Sequence, residues 1–196
     1  MDNSELYFFF DTETTGLPKD WRAPITDLNN WPRMIQIGYL IYDTSGRLLK
    51  SKEYLIRPEG FTIPEDAARI HGISTSKALA VGSPLKEVLE EMYNQIGHAS
   101  LLIAHNMSFD EKILGAEFLR MGFKNPLPQK RKFCTMIHST NFCAIPAKDG
   151  IGYKWPSLKF LYQKLFQHDF SGAHNALADI QATAACYWEL KRRNLI

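Results

Sequence analysis

Cysteine is scarce in this chain: Cys134, Cys143 and Cys186 make an odd count, and no two of them form a CxxC pair. That excludes a disulfide framework and a thiolate zinc site, and the thiols read as buried groups of a reducing compartment. Long apolar runs are missing as well. The stretch Leu6-Tyr7-Phe8-Phe9-Phe10 is far too short for a bilayer span or a signal peptide and runs straight into acids. The sequence therefore predicts a cytoplasmic protein with no membrane partner. An excess of one charge is also lacking. The 23 Lys and Arg residues face 21 Asp and Glu, and the formal net charge of +2 permits a polyanionic partner without announcing one. Repeats, low-complexity tracts and linkers are absent, and nothing marks a particular oligomeric state. With 45% apolar and 22% charged residues over 196 positions, the composition predicts a single well-buried domain, residues 1–196.

What is present is a succession of element signals. The run Tyr7-Phe8-Phe9-Phe10-Asp11 reads as a buried strand, because aromatics favour a pleated surface. Residues 18–33, with Pro18, Pro24, Pro32, Trp21 and Trp31, read as a long loop. Strands are predicted at 34–43 and 48–57, joined by the turn Thr44-Ser45-Gly46-Arg47. A short helix from Pro64 to Gly72 follows. The next helix takes Ser83 as N-cap and Pro84 as its first residue, with Leu85, Val88, Leu89, Met92 and Ile96 on one face. Further on come a strand at 100–104, a helix at 107–121 stopped by Gly122, a strand at 132–136, an irregular stretch at 143–156, and helices at 157–166 and 175–192. The pattern predicts an α/β fold, a mixed sheet covered by helices.

Four carboxylates stand out by position. Asp11 and Glu13 point the same way if the first strand reaches them, since strand side chains alternate faces. Like charges at the end of a buried aromatic strand repel unless a cation or donors neutralise them. Asp110 opens a helix directly after a strand and the pair His105-Asn106, a place where the helix dipole alone welcomes an acid. Asp179 lies early in the last helix among alanines.

Taken together, Asp11-Thr12-Glu13-Thr14-Thr15-Gly16, then His105-Asn106-Met107-Ser108-Phe109-Asp110, then His174-Asn175-Ala176-Leu177-Ala178-Asp179 resemble the DEDDh 3′→5′ exonucleases of the ribonuclease H-like superfamily. The likeness is greatest to the ε-type proofreading branch of bacterial DNA polymerase III. It runs from about Tyr7 to the last helix, and His71-Gly72-Ile73 is similar to a further element of that branch. The resemblance implies a five-stranded mixed sheet, hairpin strands antiparallel, with helices on both faces. It implies two divalent ions, Mg²⁺ or Mn²⁺, with Asp11 bridging both, Glu13 and Asp179 completing the first and Asp110 holding the second. Such ions, about 4 Å apart, activate water and clamp the attacking and leaving oxygens. His174 is implied as general base, in keeping with an imidazole's titration near neutrality. Its offset of five from Asp179 places it just before the helix.

For substrate, the resemblance implies that Leu17 wedges against terminal bases and Phe109 stacks under the last nucleotide. A core role for Phe109 stays equally open. Thr14 and Gly16 are expected to bring backbone donors to the 3′ end, with Asn106 beside them. His71 and Gly72 are expected to form a turn at the sugar, although a C-cap role alone accounts for Gly72. The clusters Lys130-Arg131-Lys132 and Lys191-Arg192-Arg193 read either as phosphate attractors or as solvated faces. Trp21, Trp31 and Trp155 read either as covers over a strand's path or as loop anchors. Residues 18–33 and 143–155 are longer and more aromatic than the motifs require. The expected function is metal-dependent 3′→5′ hydrolysis of nucleic acid to 5′-mononucleotides, single-stranded DNA favoured over RNA, with a DNA polymerase subunit as candidate partner. The alternatives are an RNA-directed member of the same superfamily and a catalytically silent nucleic-acid- or polymerase-binding module.

Overall fold

The computed structural model describes residues 5–196. Its strands are β1 (Leu6–Thr14), β2 (Met34–Asp43), β3 (Leu48–Leu55), β4 (Ala99–Ala104) and β5 (Arg131–Cys134). They form a five-stranded sheet in the order β3-β2-β1-β4-β5, in which β2 is antiparallel to β1 and β3, and β4 is parallel to β1 and β5. This is the expected mixed sheet of the ribonuclease H-like fold.

Alternation along β1 builds two cores. Phe8 and Phe10 turn to a large cluster with α3 (Leu85–His98) and α4 (Met107–Arg120), which supply Leu89, Met92, Ile113 and Phe118. Phe9 turns the other way, onto Ile180, Ala184 and Tyr187 of α8 (Ala176–Arg192). All three phenylalanines are fully buried, which explains why the strand is apolar at every position rather than at alternate ones. Against the far side of α8 packs α7 (Leu158–Phe166), through Leu161 and Leu165.

Several boundaries differ from the sequence expectation. Pro84, not Ser83, is the residue before α3, and it supplies no side-chain cap. Ser83 instead forms a bridge with Ile56: its N–H donates to the Leu55 carbonyl and its own carbonyl accepts from Arg57. A serine drawn into a sheet edge cannot turn its hydroxyl on the helix start. The chain leaves β5 at Cys134, two residues before the expected end, for the short helices α5 (Thr135–His138) and α6 (Thr140–Cys143). Between α1 (Glu65–His71) and α3 lies α2 (Thr75–Val81), which the apolar spacing had not announced, although Ser74 caps it by accepting from Lys77 N–H.

The long loop 18–33 is held down rather than loose. Arg120 donates to the carbonyls of Leu28 and Trp31 (2.6 Å each), and Lys112 donates to the carbonyl of Trp21. Fully buried Glu117 joins the clamp by accepting from Arg33 and from Met34 N–H. Trp31 is buried and belongs to the core, so it covers no surface path. Trp21 and Trp155 remain well exposed.

Candidate active site

Parity along β1 decides the geometry. Asp11 and Glu13 share the face of Phe9 and therefore point towards α8, where Asp179 sits in the first turn. Thr12 points to the opposite face. Its partners on β4 have run out, because that strand pairs with β1 only as far as Phe9. The Thr12 N–H (3.0 Å) and hydroxyl (2.8 Å) instead donate to Asp110 Oδ1 at the start of α4. The carboxyl ends of parallel β1 and β4 thus open a cleft, as such strand ends do in α/β sheets.

Two features bring α8 close enough. A Cβ on Gly38, which lies beside Asp11 in the register, would stand 2.6 Å from the Ala176 carbonyl oxygen, so only glycine lets the helix start lie on β2. Gln36 Oε1 accepts from Ala176 N–H, and Glu53 Oε1 accepts from both Gln36 Nε2 and Asn175 Nδ2. Asn175 also caps α8 by accepting from Ala178 N–H. Gly38 and Gln36 went unassigned in the sequence, although a glycine and an amide inside an apolar strand are the kind of interruption that marks close approach.

The carboxylates repel one another. Burial, followed by the charges of Asp110, Asp179 and Glu13, raises Asp11 well above the usual carboxylate range. Burial and the charges of Asp179 and Asp110 push Glu13 up to about 7. Burial also pushes Asp110 up to about 7 despite the Thr12 bonds, and it raises Asp179 against the pull of His174. His174 precedes the helix as expected, exposed and in the left-handed region (φ 67°), with its N–H donating to Asp179 Oδ2 at 3.1 Å. Ligating atoms of Glu13, His174 and Asp179 lie within 4.8 Å of one another. The imidazole therefore stands within ligand reach as well as beside the acids.

A cavity of about 490 Å³ adjoins these groups. Its lining includes Glu13, Thr14, Gly16, Leu17, His71 and Phe109, so most of the expected substrate contacts come together. Phe109 packs on the core and also lines the cavity. Leu17 and Ile70 form apolar lips, 72% and 61% exposed. His71 Nδ1 accepts from Ile73 N–H, which places the ring proton on Nε2. Two expectations change. Gly72 is the C-cap of α1 with φ 72° and does not line the cavity, so its glycine answers to backbone conformation. Asn106 lies in the wall of a different cavity. The Gly16 N–H is not fully free either, since it makes a long 3.4 Å bond to the Thr14 hydroxyl.

The basic clusters are spent elsewhere. Lys130 donates to the carbonyls of Gly97 and Ala99, Lys132 pairs with Glu111, and Arg192 and Arg193 pair with Glu189. Lys191 lies over the ring of Tyr7, and Arg131 pairs in register with Leu101. Both clusters thus lie at the end of the sheet opposite Asp11 and Glu13. His105, to which the sequence assigned no role, pins the segment before α4. Its Nε2 donates to the Pro156 carbonyl and its Nδ1 meets the Thr135 hydroxyl. Among the described residues, no helix is long and apolar enough to cross a membrane.

Comparison with known proteins identifies the family. The profile of the RNase_T family, described as Exonuclease, matches residues 8–187. DNA polymerase III subunit epsilon of Treponema pallidum is 31% identical over 121 residues, which are 62% of this chain and 49% of that protein. DNA polymerase III PolC-type of Mycoplasmopsis pulmonis is 29% identical over 113 residues, 58% of this chain and 7% of that protein. The chain thus spans half or less of these relatives. E. coli exonuclease I in complex with a dA16 oligonucleotide superposes with a TM-score of 0.75 at 18% identity, over 97% of this chain and 42% of that one. A zinc-bound form of its single-stranded DNA complex gives 0.74 at 19% identity, over 97% of this chain and 41% of that one. The chain belongs to the exonuclease family, as a member of its DEDDh type.

Proposed function

We propose that the chain is a 3′→5′ exonuclease that hydrolyses nucleic acid to 5′-mononucleotides, and that residues 1–196 form one catalytic unit. The observation that carries this reading is the convergence of Asp11, Glu13, Asp110 and Asp179, from β1, α4 and α8, beside His174 and an open cavity. Asp11 and Glu13 receive no hydrogen-bond donor among the described residues, and all four acids are held above their ordinary pKa. Such oxygen donors, short of positive charge, fit a hard divalent cation such as Mg²⁺ or Mn²⁺. A zinc-bound relative of the same fold supports a divalent ion here. Asp11, Glu13, Asp110 and Asp179 would hold two ions, which when bound supply a water of lowered pKa and neutralise charge on the scissile phosphate.

The chain's own residues do the rest. His174, held at its backbone by Asp179, takes the proton from the attacking water at the ring nitrogen facing Glu13. Thr12 fixes Asp110 with two donors and so orients its carboxylate. Leu17 and Phe109 offer apolar surface to the terminal base, and stacking of that kind accepts any base. His71 lines the same cavity, with its Nε2–H buried and unpaired. One relative is named as a DNA polymerase III subunit and the other as a PolC-type DNA polymerase III, and the structural relative was captured with an oligonucleotide. This supports DNA as substrate, single-stranded at its 3′ end, and a polymerase as working partner.

The test is digestion of matched 5′-labelled DNA and RNA single strands with Mn²⁺, Mg²⁺ or EDTA. The expected result is a ladder shortening from the 3′ end, faster on DNA and lost with EDTA or with Asp11→Ala. Intact strands after incubation with folded, metal-supplied protein would leave only the binding-module reading.

A further inference from the structure

A second cavity, of about 410 Å³, is lined by residues that include Trp21, Asn106, Ser108, Met136, Ile137 and Trp155. It belongs neither to the acidic cluster nor to the cavity beside it, yet it is joined to both. Trp21 rests on Phe109, with ring centroids 5.7 Å apart, and Phe109 lines the first cavity. Asn106 and Ser108 come from the segment that delivers Asp110.

We propose that this second cavity is a subsite for one unpaired nucleobase of the substrate strand, upstream of its 3′-terminal nucleotide. The inference rests on the nuclease reading above and gives it a substrate class, because a base seated there cannot also be paired.

Several observations point the same way. The walls are mostly apolar and include two indoles, and flat aromatic surface is what an unstacked base seeks. Trp155 is 65% exposed and Trp21 48%, although a loop tryptophan used merely as an anchor would be covered as Trp31 is, at 3%. The backbone that carries each indole is nonetheless held in place. The Trp21 carbonyl accepts from Lys112 Nζ at 2.9 Å. The residues on either side of Trp155 are tied down, Lys154 N–H to the Ile145 carbonyl and the Pro156 carbonyl to His105. Residues 145–154 fold back as a small hairpin with a bridge between Pro146 and Tyr153, which brings Trp155 to the cavity mouth.

Polar groups are present as well. Asn106 adopts a left-handed backbone (φ 70°, ψ 44°), and its side chain does not cap α4 as an asparagine at that position ordinarily would. Its carboxamide is thus left for the cavity, offering the donor and acceptor pair that a base edge can meet. The loops at 18–33 and 143–155, which the catalytic motifs do not require, supply the two indole walls of this site.

The test is a coupling measurement on the full chain in a turnover-dead Asp11→Asn background with Mg²⁺. Ten-nucleotide DNA single strands carry one abasic residue at each of the first four positions from the 3′ end in turn, and affinity is read by fluorescence anisotropy. With Trp155 present, an abasic residue at one internal position is expected to weaken binding about tenfold. In Trp155→Ala, and likewise in Trp21→Ala, the same lesion should cost less than twofold, because the base has already lost its wall. Equal penalties with and without the indoles, or no sensitive internal position, overturn the subsite. Digestion of unmodified strands by protein retaining Asp11 reports separately on the nuclease reading. Digestion without coupling sinks the subsite alone, and coupling without digestion sinks the nuclease alone.

Discussion

Glu91 and Glu13 are glutamates on the same α/β framework that are driven in opposite directions. Glu91, on α3, is partly buried, which taken alone would raise its pKa. Hydrogen bonds from Lys50, Tyr39, Tyr54 and Lys52 outweigh that and bring it down to about 2. Glu13 has no such donors and is surrounded by other acids, so burial and repulsion carry it up to about 7. The fold supplied Glu91 with a hydroxyl donor from β2 and with countercharges from β3, and that acid ties helix to sheet. At the cleft the fold gathered negative charge and, among the described residues, supplied Asp11 and Glu13 with no donor. An acid satisfied by its own chain is structural, whereas a group of acids left unsatisfied is arranged for something the chain does not contain.

The largest break in that comparison should come from Asp11→Asn. Turnover is expected to fall by about 10³-fold or more, as when a group stabilising developing charge is removed. Metal-free stability should move the other way and rise at pH 7.5, because a buried group repelled by its neighbours is gone. The sign follows from proton linkage. Acids with raised folded pKa values bind protons better in the folded state, so their cost to stability appears as pH rises from about 4 to about 7. Thermal unfolding in EDTA across that range checks it, and a melting temperature that drops in the variant at pH 7.5 contradicts the account.

Gly38→Ala comes next. The added methyl would meet the Ala176 carbonyl oxygen at 2.6 Å and lift the start of α8, and Asp179 with it, away from Asp11. Overpacking of this kind costs about 2 kcal/mol, and a shift of about 1 Å in a catalytic group costs about 10² in rate. Parallel measurement of kcat and melting temperature tests it; wild-type turnover would mean that the close approach is not what sets the site.

His105 sharpens the comparison by opposing the acids. Burial depresses it from 6.5 to about 4, so the folded state resists the proton that the unfolded chain accepts. Its contribution is present at neutral pH and is lost as pH falls from 6.5 towards 4, in total about 3 kcal/mol. His105→Gln should flatten that limb of the stability profile relative to wild type, measured by denaturant unfolding at half-unit pH steps. Identical slopes in the two proteins would show that this imidazole titrates as freely as in the unfolded chain.

The smallest effect belongs to Glu91→Ala. It leaves two tyrosine hydroxyls and two ammonium groups without their acceptor and should cost about 2 kcal/mol of stability with turnover unchanged. Urea unfolding and a digestion assay on one preparation test both halves. Reduced turnover at undiminished stability would place Glu91 in the site rather than the scaffold.

Much of this was readable along the chain. Asp11 and Glu13 share a face because strand side chains alternate, and His174 precedes its helix because an offset of five does not align on one. The apolar stripe from Leu85 to Ile96 marked α3 correctly. Other features were hidden because their cause lies elsewhere in the fold. Ser83 has every local mark of an N-cap, yet pairing with Ile56 takes it into a bridge. Asn106 and Phe109 stand three residues apart in one motif but line different cavities, because α4 begins between them. The basic triplets left phosphate contact and solvated face both open until the register of β5 put one of them at the far end of the sheet.

By itself the sequence determined the order of elements, the α/β class and the residue types of the acidic cluster, since these follow from periodicity, turn chemistry and motif spacing. Only the tertiary structure decided which acids repel, how closely α8 approaches β2 at Gly38, and which tryptophans stay exposed. Those properties depend on distances between segments up to 168 residues apart, Asp11 and Asp179 above all. Electrostatic repulsion and steric contact act through space, where packing rather than chain order sets the separations.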